Sequence, residues 1–212
     1  MASRNKFDRD DIIEIAFEYV REKGWEGLSA RYLAQKLNAS TMPIYSYIGS
    51  MANLEEEVVK KALVLFNSFL TAEYTGDKWL DFAVGYVRFA VEEKMLFRCI
   101  NDEKHTVLQR KNARRMWAEY GEALSQEALF QGIDRKDMDR IRVMRWFFIH
   151  GFSTLINNGW FTLKEVDDHL LLQEMDARLI DIIKMANHAL YSGLKGNALL
   201  KEFGVQSEER KK

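Results

Sequence analysis

Residues 27–54 read GLSARYLAQKLNASTMPIYSYIGSMANL, and this stretch decides the fold. Its pattern predicts two short helices joined by a tight turn, then the start of a long third helix. Ser29 stands where its side-chain oxygen can accept a hydrogen bond from the first helical turn, whose N–H groups have no partner inside the helix. Leu33, Ala34 and Leu37 recur at helical spacing and form a buried stripe. Asn38 follows where the helix must stop, and Asn tolerates the left-handed backbone that ends many helices. Ser40 is a second N-cap candidate, and Ile44, Tyr45 and Ile48 continue as the apolar face of a short helix. Two helices about a turn of this length make a helix-turn-helix, whose second member can enter the DNA major groove.

Working outward, the preceding residues predict a helix from about Asp8 to Lys23. Asp8, Asp10 and Asp11 gather at its start, where negative charge suits the helix dipole. Ile12, Ile13, Ala16, Phe17 and Val20 give its apolar stripe, Gly24 ends it, and Trp25 packs back as core. Downstream, Met51 or Asn53 opens a long helix to about Ala72, with Leu54, Val58, Ala62, Leu65 and Phe69 on one face. Gly76 breaks the pattern. Further helices are expected over 78–94, 104–130, 135–158 and 166–191, with a short helix or turn over 95–103. The helix over 135–158 contains IRVMRWFFIHGFSTLI and is apolar on more than half its circumference from Trp146 onward. In the last, Leu172, Met175, Leu179, Ile182, Ile183, Ala186 and Leu190 form an apolar stripe. No linker of low complexity and no internal repeat interrupts the order.

Composition agrees with an all-α chain. Apolar residues make up 47% of the 212 and charged residues 30%, the balance of a folded globular protein. A single proline leaves few helix breakers. Cys99 is the only cysteine, so no intrachain disulfide can form. No signal-peptide core and no apolar run of membrane-spanning length is seen, so the expected location is the cytoplasm. The net charge of −1 does not advertise nucleic acid. The distribution is more informative: between Gly27 and Ser50 only Arg31 and Lys36 are charged, while Glu55, Glu56 and Glu57 follow at once.

A catalytic or metal constellation is not found, so no enzyme and no cofactor is expected. There is no glycine-rich phosphate loop and no Glu-x-x-His pair of a di-iron bundle. His105, His150, His169 and His188 share no metal-like spacing. His150 falls within an apolar helix, and Cys99 reads as a small buried apolar residue.

The text IIEIAFEYVREKGWEGLSARYLAQKLNAS at 12–40, followed by IYSYIGSMANL at 44–54, resembles the DNA-binding domain of the TetR family of transcriptional regulators. IHGFSTLINNGW at 149–160 resembles a segment late in the ligand-binding part of that family. The resemblance implies an N-terminal three-helix helix-turn-helix domain over 1–54, with the motif at about 28–48. It implies a larger helical effector-binding and dimerisation domain over 55–212. It also implies a homodimer through the helices at about 135–158 and 166–191, a double-stranded DNA operator, a small-molecule effector and no membrane.

Position by position, Ser29 matches the residue that with its helix N-terminus holds a phosphate, and Arg31 follows within reach of a phosphate or a groove edge. Ser40, Thr41, Met42 and Ser46 face the groove. Thr41 suits a base-edge hydrogen bond and Met42 a thymine methyl. Tyr45 and Tyr47 match the family's Tyr-x-Tyr positions, Tyr47 as the phosphate contact. Two positions depart from the pattern. Pro43 replaces a common Thr, and Met51 replaces a Lys that grips the backbone. The effector pocket is implied to draw on Phe82, Tyr86, Phe89, Met116, Trp117, Tyr120, Phe147 and His150, and to be mostly apolar. The function expected is a ligand-responsive repressor. The alternative is a helical small-molecule-binding or enzymatic bundle whose helix-turn-helix no longer binds DNA.

Overall fold

Asp8 starts the first helix by reciprocal bonding. Its carboxylate accepts from the Asp10 and Asp11 N–H groups at 2.9 and 3.0 Å, and Asp11 accepts from the Asp8 N–H at 2.9 Å. This is a capping box that satisfies N–H groups left without helical partners. In the computed structural model, which describes residues 7–125, 133–160, 180–190 and 192, helix α1 then runs Arg9–Lys23. It buries Ile12, Ile13, Ala16, Phe17 and Val20, the stripe the sequence predicts. Gly24 closes it at φ 77°, donating its N–H to the Val20 carbonyl at 2.8 Å.

The decisive stretch folds as α2, Ala30–Lys36, and α3, Thr41–Ile48. Ser29 caps α2, accepting from the Tyr32 N–H at 3.2 Å. Leu33 and Ala34 are buried and Leu37 half-buried. Asn38 takes the left-handed conformation, φ 50°. Two of the expectations for α3 need correction. Ser40 occupies the N-cap position in extended conformation, but its side chain makes no capping bond. Tyr45 is not on the apolar face. Ile44 and Ile48, four residues apart, form the buried stripe, and Tyr45 lies roughly 100° around the helix from Ile44 and is 47% exposed.

Helix α4, Met51–Thr71, is separated from the end of α3 by two residues. Ser50 caps it by accepting from the Asn53 N–H at 3.1 Å, and Asn53 Nδ2 donates to the Ile48 carbonyl at 3.2 Å. The buried face is Leu54, Val58, Val59, Ala62, Leu63, Phe66 and Leu70. The expected face turned at Leu65 and Phe69, which are only half-buried. The cause is packing: α1 and α6 both lie against α4, and covering on two sides widens the stripe to a row at 54, 58, 62, 66 and 70 with neighbours beside it.

Beyond Gly76, α5 spans Lys78–Glu92 and α6 spans Lys94–Ile100, so the helix expected to reach Lys94 stops two residues earlier. A 3₁₀ turn, Glu103–His105, capped by Asp102, precedes α7, Thr106–Ser125. The expected extension to 130 lies outside the described residues. α8 is Arg135–Asn157, capped by Asp134 accepting from the Asp137 N–H at 2.9 Å. α9 covers 180–190; the rest of the helix expected over 166–191, with Leu172, Met175 and Leu179, lies outside the described residues, as does His169. Among the described residues all regular structure is helical, so the fold is all-α.

The described residues of Met1–Ala72 and Arg88–Tyr120 form one compact unit, and those of Glu73–Val87 and Gly121–Lys212 a second. α5 and α7 contribute residues to both. The first unit holds the helix-turn-helix. Its core is built from α1, α4 and α6, with Ile12, Leu33, Ile44, Leu54, Leu96 and Ile100 fully buried; each such side chain contributes about 1.5–3 kcal/mol. Phe89 packs on Phe66 and Phe69 at ring distances of 5.0 and 5.4 Å. Asn67 and Asn112 exchange amide bonds at 2.8 and 3.0 Å, joining α4 to α7. His105 is buried, with Nδ1 2.6 Å from the Cys99 carbonyl and Nε2 3.0 Å from Glu55 Oε1. In the second unit Trp79, Met138 and Ile141 form a small core closed by Ile133.

Candidate nucleic-acid interface and ligand site

The short helix α3 shows one side to its own unit and the other to solvent. Ile44 and Ile48 are 0% and 6% exposed, whereas Met42 is 79% exposed. Ser40, Thr41, Tyr45 and Ser46 are exposed as well. This gives a solvent-facing surface of two hydroxyls at the entry to α3, a thioether, a phenol and a serine, with no charged side chain on α3. Pro43 is half-buried in the first turn, where its missing N–H costs little. Tyr47 is half-buried and its ring stands edge-on to Phe7 at 5.8 Å. Ser29 is exposed but its oxygen is engaged in capping α2. Arg31 is exposed at the start of α2, and Lys36 at its end lies 5.7 Å from the Tyr32 ring. Met51, the first residue of α4, is half-buried.

The eight residues proposed from sequence for a ligand pocket fall into both units. Phe89, Met116, Trp117 and Tyr120 belong to the first; Phe82, Tyr86, Phe147 and His150 belong to the second. In the first, Phe89 is fully buried in the core and Met116 is 6% exposed. Tyr120 donates its hydroxyl hydrogen to the Leu70 carbonyl, and Trp117 has an exposed side chain. In the second, Phe82 is half-buried and Phe147 is 62% exposed. Tyr86 and His150 are brought together: the Tyr86 oxygen lies 2.8 Å from His150 Nδ1. Trp146 stacks on the His150 ring at 5.5 Å. The neutral imidazole can accept at Nδ1 or donate from it, according to its tautomer. Burial favours the neutral state, lowering the His150 pKa below its ordinary value. It raises that of Tyr86, so the phenol stays neutral.

The buried face of α8 holds residues that its apolar content concealed. Met138, Ile141, Arg142, Arg145, Ile149, Ser153 and Asn157 recur at three- and four-residue spacing, and all are buried. Arg142 is 9% exposed and pairs with Asp139 at 3.1 Å. Its guanidinium fills the space beside Gly121, where an added Cβ would stand 2.5 Å from Nη1. Arg145 is 3% exposed, with its guanidinium carbon 3.5 Å from the centroid of the Trp79 ring. One terminal nitrogen donates to the Trp79 carbonyl, while Nε has no hydrogen-bond partner among the described residues. Ser153 is fully buried and its hydroxyl is likewise without a partner among them. Burial pulls the Arg145 pKa below the usual arginine range, and Asp77 opposes that pull through space. A buried charge without an adjacent counter-ion costs several kcal/mol. The periodic spacing of these polar positions with Ile141 and Ile149 was the signal that could have revealed them.

Among the described residues no group of three or more His, Cys, Asp or Glu is arranged to hold a metal ion. No helix of the described residues is long and apolar enough to cross a membrane. Cys99 is buried, and burial pushes its thiol up to about 12, which leaves it a protonated core residue. No family model and no curated protein matches the chain.

Proposed function

We propose that the chain is a DNA-binding transcriptional regulator, a ligand-responsive repressor rather than an enzyme. It binds a near-palindromic operator as a homodimer and is released by a small, mostly apolar effector. The observation that carries this reading is the division of α3. Ile44 and Ile48 anchor it while Thr41, Met42, Tyr45 and Ser46 stay exposed, the arrangement a groove-reading helix needs. The family resemblance of residues 8–54 supports the same reading.

The homodimer is supported by a second surface. On α8, Met144, Phe147 and Leu155 are 47%, 62% and 39% exposed and share one side of the helix. Gly151 lies among them, with open space where a Cβ would project. In α9, Met185 is 72% exposed. Exposed apolar side chains grouped on helices are what a second copy of the chain would cover.

A rival reading, a ligand-binding or enzymatic bundle whose helix-turn-helix has lost DNA, is favoured by the absence of charge on α3 and by Met51 in place of a lysine. Fluorescence anisotropy with the DNA flanking the chain's own gene separates the two. Salt-sensitive binding at nanomolar to micromolar protein is expected; binding to no sequence would overturn the repressor reading.

A further inference from the structure

Helix α8 carries a buried cation inside the second unit. Among the described residues Arg145 has no carboxylate within ion-pair distance, and its Nε–H edge has no hydrogen-bond partner. The nearest opposing influence, Asp77, is occupied in capping α5, accepting from the Trp79 and Leu80 N–H groups at 2.8 and 3.2 Å. Two turns along the same face, about 12 Å away by helical rise, the Ser153 hydroxyl is equally unmatched. Between them lie Ile149 and the Tyr86–His150 pair. Buried polar groups are normally satisfied, so two orphans on one buried stripe, unmatched among the described residues, mark a place suited to a ligand.

We propose that the buried face of α8 from Arg145 to Ser153 binds the carboxylate of a small, otherwise apolar organic acid. The guanidinium edge presents N–H groups in the fork geometry that suits a carboxylate. Among the described residues from Arg145 to Ser153 the one cation is Arg145: Arg142, one turn earlier, is paired with Asp139, Tyr86 is neutral, and burial disfavours the charged form of His150. One negative charge is matched there; the second charge of a phosphate is not. Ile149 and the rings of Trp79 and Tyr86 take the apolar body of the acid, and Ser153 takes a distal polar group. The inference rests on the repressor reading for what the acid does, namely release of DNA, while the site itself is testable without DNA.

The test is thermal unfolding of the full chain with millimolar hexanoate, octanoate, decanoate and benzoate. Each is compared with its primary amide, and inorganic phosphate is run alongside. At least one acid is expected to raise Tm by several degrees over its amide, with a change in tryptophan emission from Trp79 and Trp146, and phosphate is expected to give no shift. Arg145→Gln should abolish the acid–amide difference; Arg145→Lys should keep it in weaker form, which covers the case in which the glutamine variant does not fold. No acid–amide difference in the unaltered protein would overturn the proposal. A phosphate shift as large as the acids', or an undiminished preference in the glutamine variant, would also overturn it. Operator binding measured in parallel keeps the two readings apart. DNA binding without acid preference removes this site and leaves the repressor; acid preference without DNA binding does the reverse.

Discussion

The Tyr86 hydroxyl lies 2.8 Å from Nδ1 of His150, on whose ring Trp146 stacks at 5.5 Å. Burial disfavours the charged imidazole and holds the His150 pKa below its ordinary value of 6.5. Below that pH the unfolded chain takes up a proton that the folded chain refuses. Stability should therefore fall as pH drops below about 6.5, until the lowered folded-state value is reached, at no more than about 1.4 kcal/mol per pH unit from this residue. Urea unfolding from pH 7.5 to 5 should show the slope, and His150→Gln should reduce it. An unchanged slope in the variant would assign it elsewhere.

Arg21 and Glu93 join α1 to the α5–α6 junction. Arg21 Nε donates to Glu93 Oε2 at 2.7 Å, and Glu93 is 7% exposed. Glu93→Gln keeps the shape and removes the charge. Because Arg21 is 41% exposed, the cost should be modest, about 1–2 kcal/mol in the unfolding free energy.

Gly24 has φ 77°, and a Cβ there would meet Met95 Cε at 2.6 Å. Gly24→Ala should cost about 1–3 kcal/mol through backbone strain alone. Calorimetry should then show a Tm lower by roughly 2–10 °C.

Thr41→Ala removes an exposed hydroxyl from the first turn of α3 and touches no packing. If α3 reads bases, operator affinity should fall about tenfold to a hundredfold while light scattering still reports a dimer. Tyr47→Phe is the companion change. It keeps the ring against Phe7 and deletes only the hydroxyl, so a loss of affinity without a loss of Tm would assign the phosphate contact.

Met51→Lys places an ammonium at the first residue of α4. Each added phosphate contact steepens the dependence of log affinity on log salt by about 0.9. An anisotropy series over salt concentration should register that increment, and an identical slope would mean position 51 does not face the backbone of DNA.

Local chemistry made much of this fold legible. Asp8, Ser29, Asn38 and Gly24 each act within a few residues of themselves, and each ends or begins a helix where the sequence predicts. Expectations failed where the outcome depended on neighbours. Tyr45 could not be told from Ile44 by polarity alone; only the packing of α3 decides which is buried. The face of α4 widened because α1 and α6 both cover it. For the site, the exposed residues of α3 were readable by resemblance. Arg145 and Ser153 were not, because a polar residue in an apolar helix is expected to face water, and their burial depends on what surrounds α8.

The two-residue joint between α3 and α4 has a mechanical consequence. Gly49 and Ser50 are all that separates the helices, and the Asn53 side chain clasps the last turn of α3 through the Ile48 carbonyl. α3 thus behaves as a short arm welded at its far end to a long shaft. Its eight residues span about 12 Å, so a tilt of about 10° at the joint sweeps Thr41 through roughly 2 Å, several times the tolerance of a hydrogen bond. Small rotations of α4 are therefore sufficient to bring Thr41 and Met42 into alignment or to spoil it.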